Sequence, residues 1–200
     1  MKRVLLRAPL LSLSGYGIHS RQVFEWLETI PNIDMTVEIL KWGQTAWLIN
    51  PEYENGLVGE IMERSKPLPG KPDLSIQVQL PNEWDPALAK KNVGVSAFVE
   101  TDQCNPKWIA SCNQMDMIIV PSEHIRTCVQ NSGSPSVPVH VVPESYYESI
   151  PTKESLDLPL ETNFNFLLFG QITGSNPHND RKNTYKITTS SGIDFRVPEE

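Results

Sequence analysis

Two carboxylates one residue apart, Glu100 and Asp102 in the run FVETDQC, have the separation of an acid/base pair or of two metal ligands. Glu-Thr-Asp is not the Asp-x-Asp of many cation sites. Glu100 is therefore read as the group that orients or binds substrate, and Asp102 first as a loop cap. Gly15 and Gly17, in SGYGIHS, allow a tight turn into a helix, and the unpaired N–H groups of a helix start can receive a phosphate or carboxylate. A turn that only lets helix and sheet pack is the plainer reading of the same glycines. His19 follows as either a hydrogen-bonding group or an exposed first-turn residue. Glu123 begins a helical run and favours its start through the helix dipole. Arg181 and Lys182, in NDRKNT, are adjacent cations that by themselves form an ordinary solvated pair. Cys104, Cys112 and Cys128 lack any C-x-x-C spacing, and His124, His140 and His178 are scattered, so no metal and no cofactor is expected.

These groups need elements to hold them. The apolar run Val4, Leu5, Leu6 reads as a strand, and residues 12–30 as a glycine turn and helix with Val23, Phe24, Trp26, Leu27 and Ile30 on one face. Residues 35–40 form a second strand, and residues 52–64 a helix weakened by Gly56 and Gly59. Residues 66–72 are a Pro/Gly loop. In residues 74–80 the apolar Leu74, Ile76, Val78 and Leu80 alternate with polar residues as in a strand, which the irregular loop 81–86 closes. The nearly continuous apolar run 93–99 fits a central parallel strand. Asn105 and Pro106 then start a helix with the inward stripe Trp108, Ile109, Cys112 and Met115. A strand over 117–120 leads to a helix capped by Ser122, with Ile125, Cys128 and Val129 inward and Gly133 at its end. Residues 139–142 make a sixth strand. Strands alternating with helices predict an α/β fold, a Rossmann-like parallel sheet with helices on both faces. Ligands of such sheets bind beyond the carboxyl ends of the strands, so the glycine turn, the Glu100–Asp102 pair and Glu123 are expected along one rim.

The composition narrows the partners. The 200 residues carry a net charge of −7 with no Lys/Arg cluster, which argues against nucleic acid. No apolar run is long enough to span a membrane, and Arg7 interrupts the apolar N-terminus where a signal peptide would continue. Unpaired cysteines predict a reducing, cytosolic setting. Domain organisation is read as residues 1–143 for the sheet domain and a polar linker over 144–163. A second α/β unit over 164–200 opens with FNFLLF and is too short to complete a core of its own.

The succession GYGIHSRQ, LPNEWDP, FVETDQCNPKWIASCNQMDMIIVPSEHIR, PVHVVPE and FLLFGQITG…NDRKNT resembles the glycosyltransferase family 4 group, over residues 2–184 and most specifically over 98–126. The resemblance implies a GT-B architecture of two Rossmann-like domains, the first on the acceptor side. It implies transfer of a sugar from a nucleotide-diphosphate sugar to an acceptor hydroxyl, with retention of configuration. It would set Gly15, Tyr16 and Gly17 against the donor diphosphate and make Glu100 an orienting or catalytic group. Lys182, with Arg181 beside it, would bind donor phosphates. On their own chemistry, beside that resemblance, His19, Asp102 and Glu123 are candidates for contacts to substrate hydroxyls.

The chain departs from that pattern at Gln171, where the family carries an Arg, and after Thr184, where the run TYKITTSSGIDFRVPEE replaces the paired-glutamate segment that grips the donor. The expectation is a truncated donor domain and a chain lacking most of the donor site. It is weighed against a catalytically inactive module that binds a glycan or a protein. The apolar strand over 164–169 would favour a homodimer. A dinucleotide-dependent oxidoreductase fits less well, because Ser20 stands where a third glycine is needed and Lys41 where an acidic residue should end the second strand.

Overall fold

A computed structural model of the chain describes residues 1–67 and 70–146. The chain divides into two compact units, Met1–Glu148 and Ser149–Glu200, and the second lies outside the described residues, as do residues 147 and 148. The readings of a linker over 147–163, of a second unit and of Arg181 and Lys182 lie outside them as well.

Strands β1 (Lys2–Ala8), β2 (Ile33–Ile39), β3 (Leu74–Val78), β4 (Lys91–Val95), β5 (Met117–Val120) and β6 (Val139–Val141) form one sheet in the order β2-β1-β3-β4-β5-β6. Every neighbouring pair is parallel. Helices α1 (Gly15–Glu28), α2 (Leu57–Arg64), α3 (Pro106–Cys112) and α4 (Glu123–Asn131) cover it. This is the α/β, Rossmann-like arrangement expected from the alternation of short apolar runs with capped helical ones.

The pleat divides the core in two. Val4 and Leu6 stand in register with Met35 and Val37 on one side and with Leu74 and Ile76 on the other. With Val93 and Val95 they pack against Phe24 and Leu27 of α1 and Leu57, Val58 and Ile61 of α2. Ile118 and Val120 belong to the opposite layer, under Ile109 and Cys112 of α3 and Ile125, Cys128 and Val129 of α4. All three cysteines are buried in that layer as free thiols.

No long helix joins β3 to β4; a short 3-10 turn over Pro81–Glu83 does. On that side the alternate residues of the strands, Ser75, Gln77 and Asn92, are polar and buried. Gln77 donates from Nε2 to Ser75 Oγ at 3.0 Å and to the Asp85 carbonyl at 2.7 Å, while its Oε1 accepts the Asp85 amide at 2.8 Å. Trp84 donates Nε1 to the Gln77 carbonyl and lies over Gly94, where a Cβ would stand 2.6 Å from the indole. The loop thus makes the hydrogen bonds a solvated strand face would have made with water.

The boundaries differ from the sequence reading in several places. Residues 52–56 are turns rather than helix, because Glu54, Asn55 and Gly56 take left-handed φ values of 52°, 57° and 92° and α2 begins only at Leu57. The second strand runs Ile33–Ile39 rather than 35–40, and the third stops at Val78. The fourth strand ends at Val95 rather than residue 99, since the chain turns at Phe98, whose φ is 52°. Trp26 is 56% exposed rather than inward, because the buried stripe of α1 runs through Gly17, Ser20, Arg21, Phe24 and Leu27.

Candidate functional site

The link from β1 to α1 is held from three directions. Ser14 caps the helix by accepting the Gly17 amide at 3.1 Å. Ser12 pairs with Thr45 Oγ1 at 2.6 Å and donates to Ser14 Oγ at 2.9 Å, tying the turn to the segment after β2. Arg21, only 2% exposed, donates to the carbonyls of Leu10 (3.0 Å) and Ser12 (3.2 Å) and forms an ion pair with Glu54 at 2.7 Å. The left-handed run at Glu54–Gly56 brings that carboxylate back to Arg21.

The two glycines are not equivalent. A Cβ on Gly17 would stand 2.0 Å from the Ser12 carbonyl oxygen, so only glycine lets the helix approach the turn this closely. A Cβ on Gly15 would meet nothing within 4 Å. Close approach, expected of both, therefore holds for Gly17 alone. Gly15 is exposed at the first turn, where the leading amides of a helix have no intrahelical acceptor.

Tyr16 joins this turn to the end of β4. Its hydroxyl accepts the Ala97 amide at 3.0 Å and pairs with Ser96 Oγ at 3.1 Å, and its ring stacks on Trp42 with centroids 4.1 Å apart. Burial pushes the hydroxyl above its ordinary pKa of 10.0, against the lowering effect of those two hydrogen bonds. The charges of Glu144 and Glu83 raise it a little further. Beside it lies a recess of about 10 Å³ walled by Tyr16, His19, Ser96, Ala97, Pro121 and Glu144. His19 Nδ1 is buried without a hydrogen-bond partner.

The remaining expected residues stand apart from this recess. Glu100 and Asp102 are exposed in the loop beyond Phe98. That loop is anchored by aromatic contacts of Phe98 with Trp84 (6.3 Å) and Trp108 (5.9 Å), and the Asp102 carbonyl accepts Asn131 Nδ2 at 3.2 Å. Glu123 is exposed on the first turn of α4 and forms an ion pair with Arg126. The structure thus brings Tyr16 and His19 together and places Gly15 and Gly17 beside them. Neither Glu100, Asp102 nor Glu123 lines the recess.

Three participants carried no plain signal in the sequence. Arg21 sits four residues after Gly17 on the stripe that turns inward, a spacing that could have marked it. Ser96 reads as a small residue in an apolar run. Glu144 falls in the segment read as linker.

Cys112 and Cys128 are poor nucleophiles at neutral pH. Burial, with Cys104 nearby, pushes Cys112 up to about 12 and Cys128 to about 11. Among the described residues no three of His, Cys, Asp and Glu converge as a metal site, and no helix is long and apolar enough to cross a membrane. No protein-family model matches the chain, and no curated protein is significantly similar to it.

Proposed function

We propose that the chain is the acceptor-side part of a glycosyltransferase that uses a nucleotide-diphosphate sugar and an acceptor hydroxyl. The observation that carries this reading is the start of α1. Gly17 presses the helix onto the Ser12 carbonyl, Tyr16 fastens it to Ser96 and Ala97, and the exposed Gly15 end lies at the carboxyl edge of a parallel sheet. Fixed amides in that position suit a diphosphate. His19, with Nδ1 unpaired, suits a hydroxyl of the transferred sugar or of the acceptor. Glu100, Asp102 and Glu123 act only on a part of the substrate that extends along the rim, and Arg181 and Lys182 supply the donor's cations. Three free thiols fit a reducing, cytosolic setting.

A second reading is a catalytically inactive module that binds a glycan or a protein. The exposure of Glu100 and Asp102, away from the recess, favours it.

Calorimetric titration with UDP, GDP and their sugars tests the first reading. Binding that is lost in Gly15→Leu, a change at an exposed glycine with open space around it, supports diphosphate recognition at the turn. A folded protein that ignores every nucleotide but binds an oligosaccharide favours the module.

A further inference from the structure

Helix α1 carries a second stripe besides its core-facing one. His19, Gln22, Val23 and Trp26 follow the i, i+3, i+4, i+7 spacing of a single helix face. This stripe forms one wall of a groove of about 350 Å³, whose floor is Ile76 of β3, Val95 of β4 and Ile119 of β5. Val142, Pro143 and Ser145 close its far side, where Gln22 Nε2 donates to the Ser145 carbonyl at 3.0 Å. The volume falls within the range of small-molecule sites, about 300–1,000 Å³, and the lining is mainly apolar.

The groove does not end in an apolar wall. At the carboxyl end of the strands it runs into the recess beside Tyr16, and His19, Val95, Ile119 and Val142 line both. The recess has room for about one oxygen atom with its hydrogens. Two features there select what enters. His19 Nδ1 is buried without a hydrogen-bond partner, and the imidazole can take a donor or an acceptor according to its tautomer. Glu144 brings a carboxylate, and among the described residues neither lining contains a Lys or an Arg. An anionic headgroup would meet that like charge, whereas a hydroxyl can donate to the carboxylate and pair with the imidazole in either tautomer.

We propose that the groove binds an apolar small molecule bearing a neutral hydroxyl, its aromatic or aliphatic body lying between α1 and the sheet and its hydroxyl in the recess between His19 and Glu144. If the chain is the acceptor side of a glycosyltransferase, as proposed above, this occupant is the acceptor and its class is an apolar alcohol or phenol rather than a bare sugar. Glu144 is then the residue that rejects phosphorylated and carboxylated analogues.

Methyl NMR of the full chain, titrated with β-naphthol, naphthalene and β-naphthyl phosphate, tests this. Naphthol is expected to shift the methyl signals of Val23, Ile76, Val95 and Ile119 and the Trp26 indole saturably. It should bind about tenfold more tightly than naphthalene, the value of one hydrogen bond, and more tightly still than the phosphate. His19→Phe should bring naphthol down to the level of naphthalene, and Glu144→Gln should narrow the discrimination against the phosphate. Tighter binding of the phosphate, equal binding of naphthol and naphthalene, or shifts confined to other methyl groups would overturn the proposal. The two readings separate cleanly. Nucleotide binding without naphthol binding removes this inference alone, and naphthol binding without nucleotide binding supports it while removing diphosphate recognition at the α1 turn.

Discussion

The Tyr16 hydroxyl accepts the Ala97 amide at 3.0 Å across a separation of 81 residues, fastening the first turn of α1 to the end of β4. One atom therefore positions two segments of the rim, and its removal has a readable cost. Tyr16→Phe leaves the partly buried Ala97 amide without an acceptor and Ser96 Oγ with the Phe98 amide alone, which costs about 1–3 kcal/mol. Urea unfolding should show a lower midpoint with an unchanged slope. The pH dependence follows from the raised pKa. The folded state keeps a proton that the unfolded state releases above 10.0, so the contribution is full below pH 10.0 and is lost as the pH rises further. Wild type should consequently lose stability above pH 10.0 more steeply than Tyr16→Phe. Equal alkaline slopes would show that Tyr16 is not the group responsible.

The two glycines of the turn should respond in opposite ways to the same substitution. Gly17→Ala forces a Cβ to 2.0 Å from a backbone oxygen that Arg21 also holds, so helix or turn must move. A loss of more than about 3 kcal/mol is expected, in the range of severe steric substitutions. Gly15→Ala meets open space and should fall within about 0.5 kcal/mol of wild type. Thermal unfolding of the pair decides it. Equal destabilisation would mean that the turn relaxes around either side chain.

Much of this architecture was legible from local signals. The caps at Asn105 and Ser122 and the alternation of Leu74, Ile76 and Val78 each follow from one residue's chemistry and its neighbours. The misreadings share one cause, which is that partners distant in sequence override local preference. Trp26 has the spacing of a core residue, yet Arg21 takes the inward face because its guanidinium has two carbonyls and Glu54 to satisfy. The fourth strand should run on through Phe98 by apolarity, but Trp84 and Trp108 draw that ring aside and the backbone turns left-handed. Ser75 and Gln77 are the polar half of the β3 alternation, and they are buried under a loop that satisfies them. Of the candidate site, the glycines and His19 carried a signal in their spacing. Glu144 did not, because its place depends on where β6 ends in space.

The Arg21–Glu54 pair predicts a stability effect larger than its surface position suggests. Glu54→Gln removes the charge that balances a guanidinium only 2% exposed. Truncating one partner of a buried pair costs about 3–5 kcal/mol, and the 28% exposure of Glu54 places this one at about 2–3 kcal/mol. Because Arg21 also holds the Leu10 and Ser12 carbonyls, the loss should appear as faster amide exchange in the β1–α1 turn as well as in the midpoint of urea unfolding. Unchanged exchange there would show that the carbonyl contacts hold the turn without the ion pair.

At the amino edge of the sheet, opposite the recess, two aspartates repeat one arrangement. Asp73, just before β3, accepts the Arg3 amide at 3.0 Å and Lys90 Nζ at 2.7 Å; Asp116, just before β5, accepts the Asn92 amide at 2.8 Å and Lys91 Nζ at 2.7 Å. Each carboxylate thus fixes the first residues of a neighbouring strand. The Lys90 hydrogen bond and then the Arg3 amide hold Asp73 down at about 2, from an ordinary 3.8, and Asp116 is lowered in the same way by Lys91 and the Asn92 amide. A folded pKa below the unfolded one contributes stability above pH 3.8 that disappears as the pH falls toward about 2. Stability measured from neutral pH downward should therefore hold until about pH 4 and then decline, more gently in Asp73→Asn than in wild type. Added salt screens the exposed lysines more than the short amide contacts, so part of the slope should survive at high ionic strength. If Asp73→Asn kept the full acid slope, the decline would belong to other carboxylates and the strand-start contacts would carry no linkage.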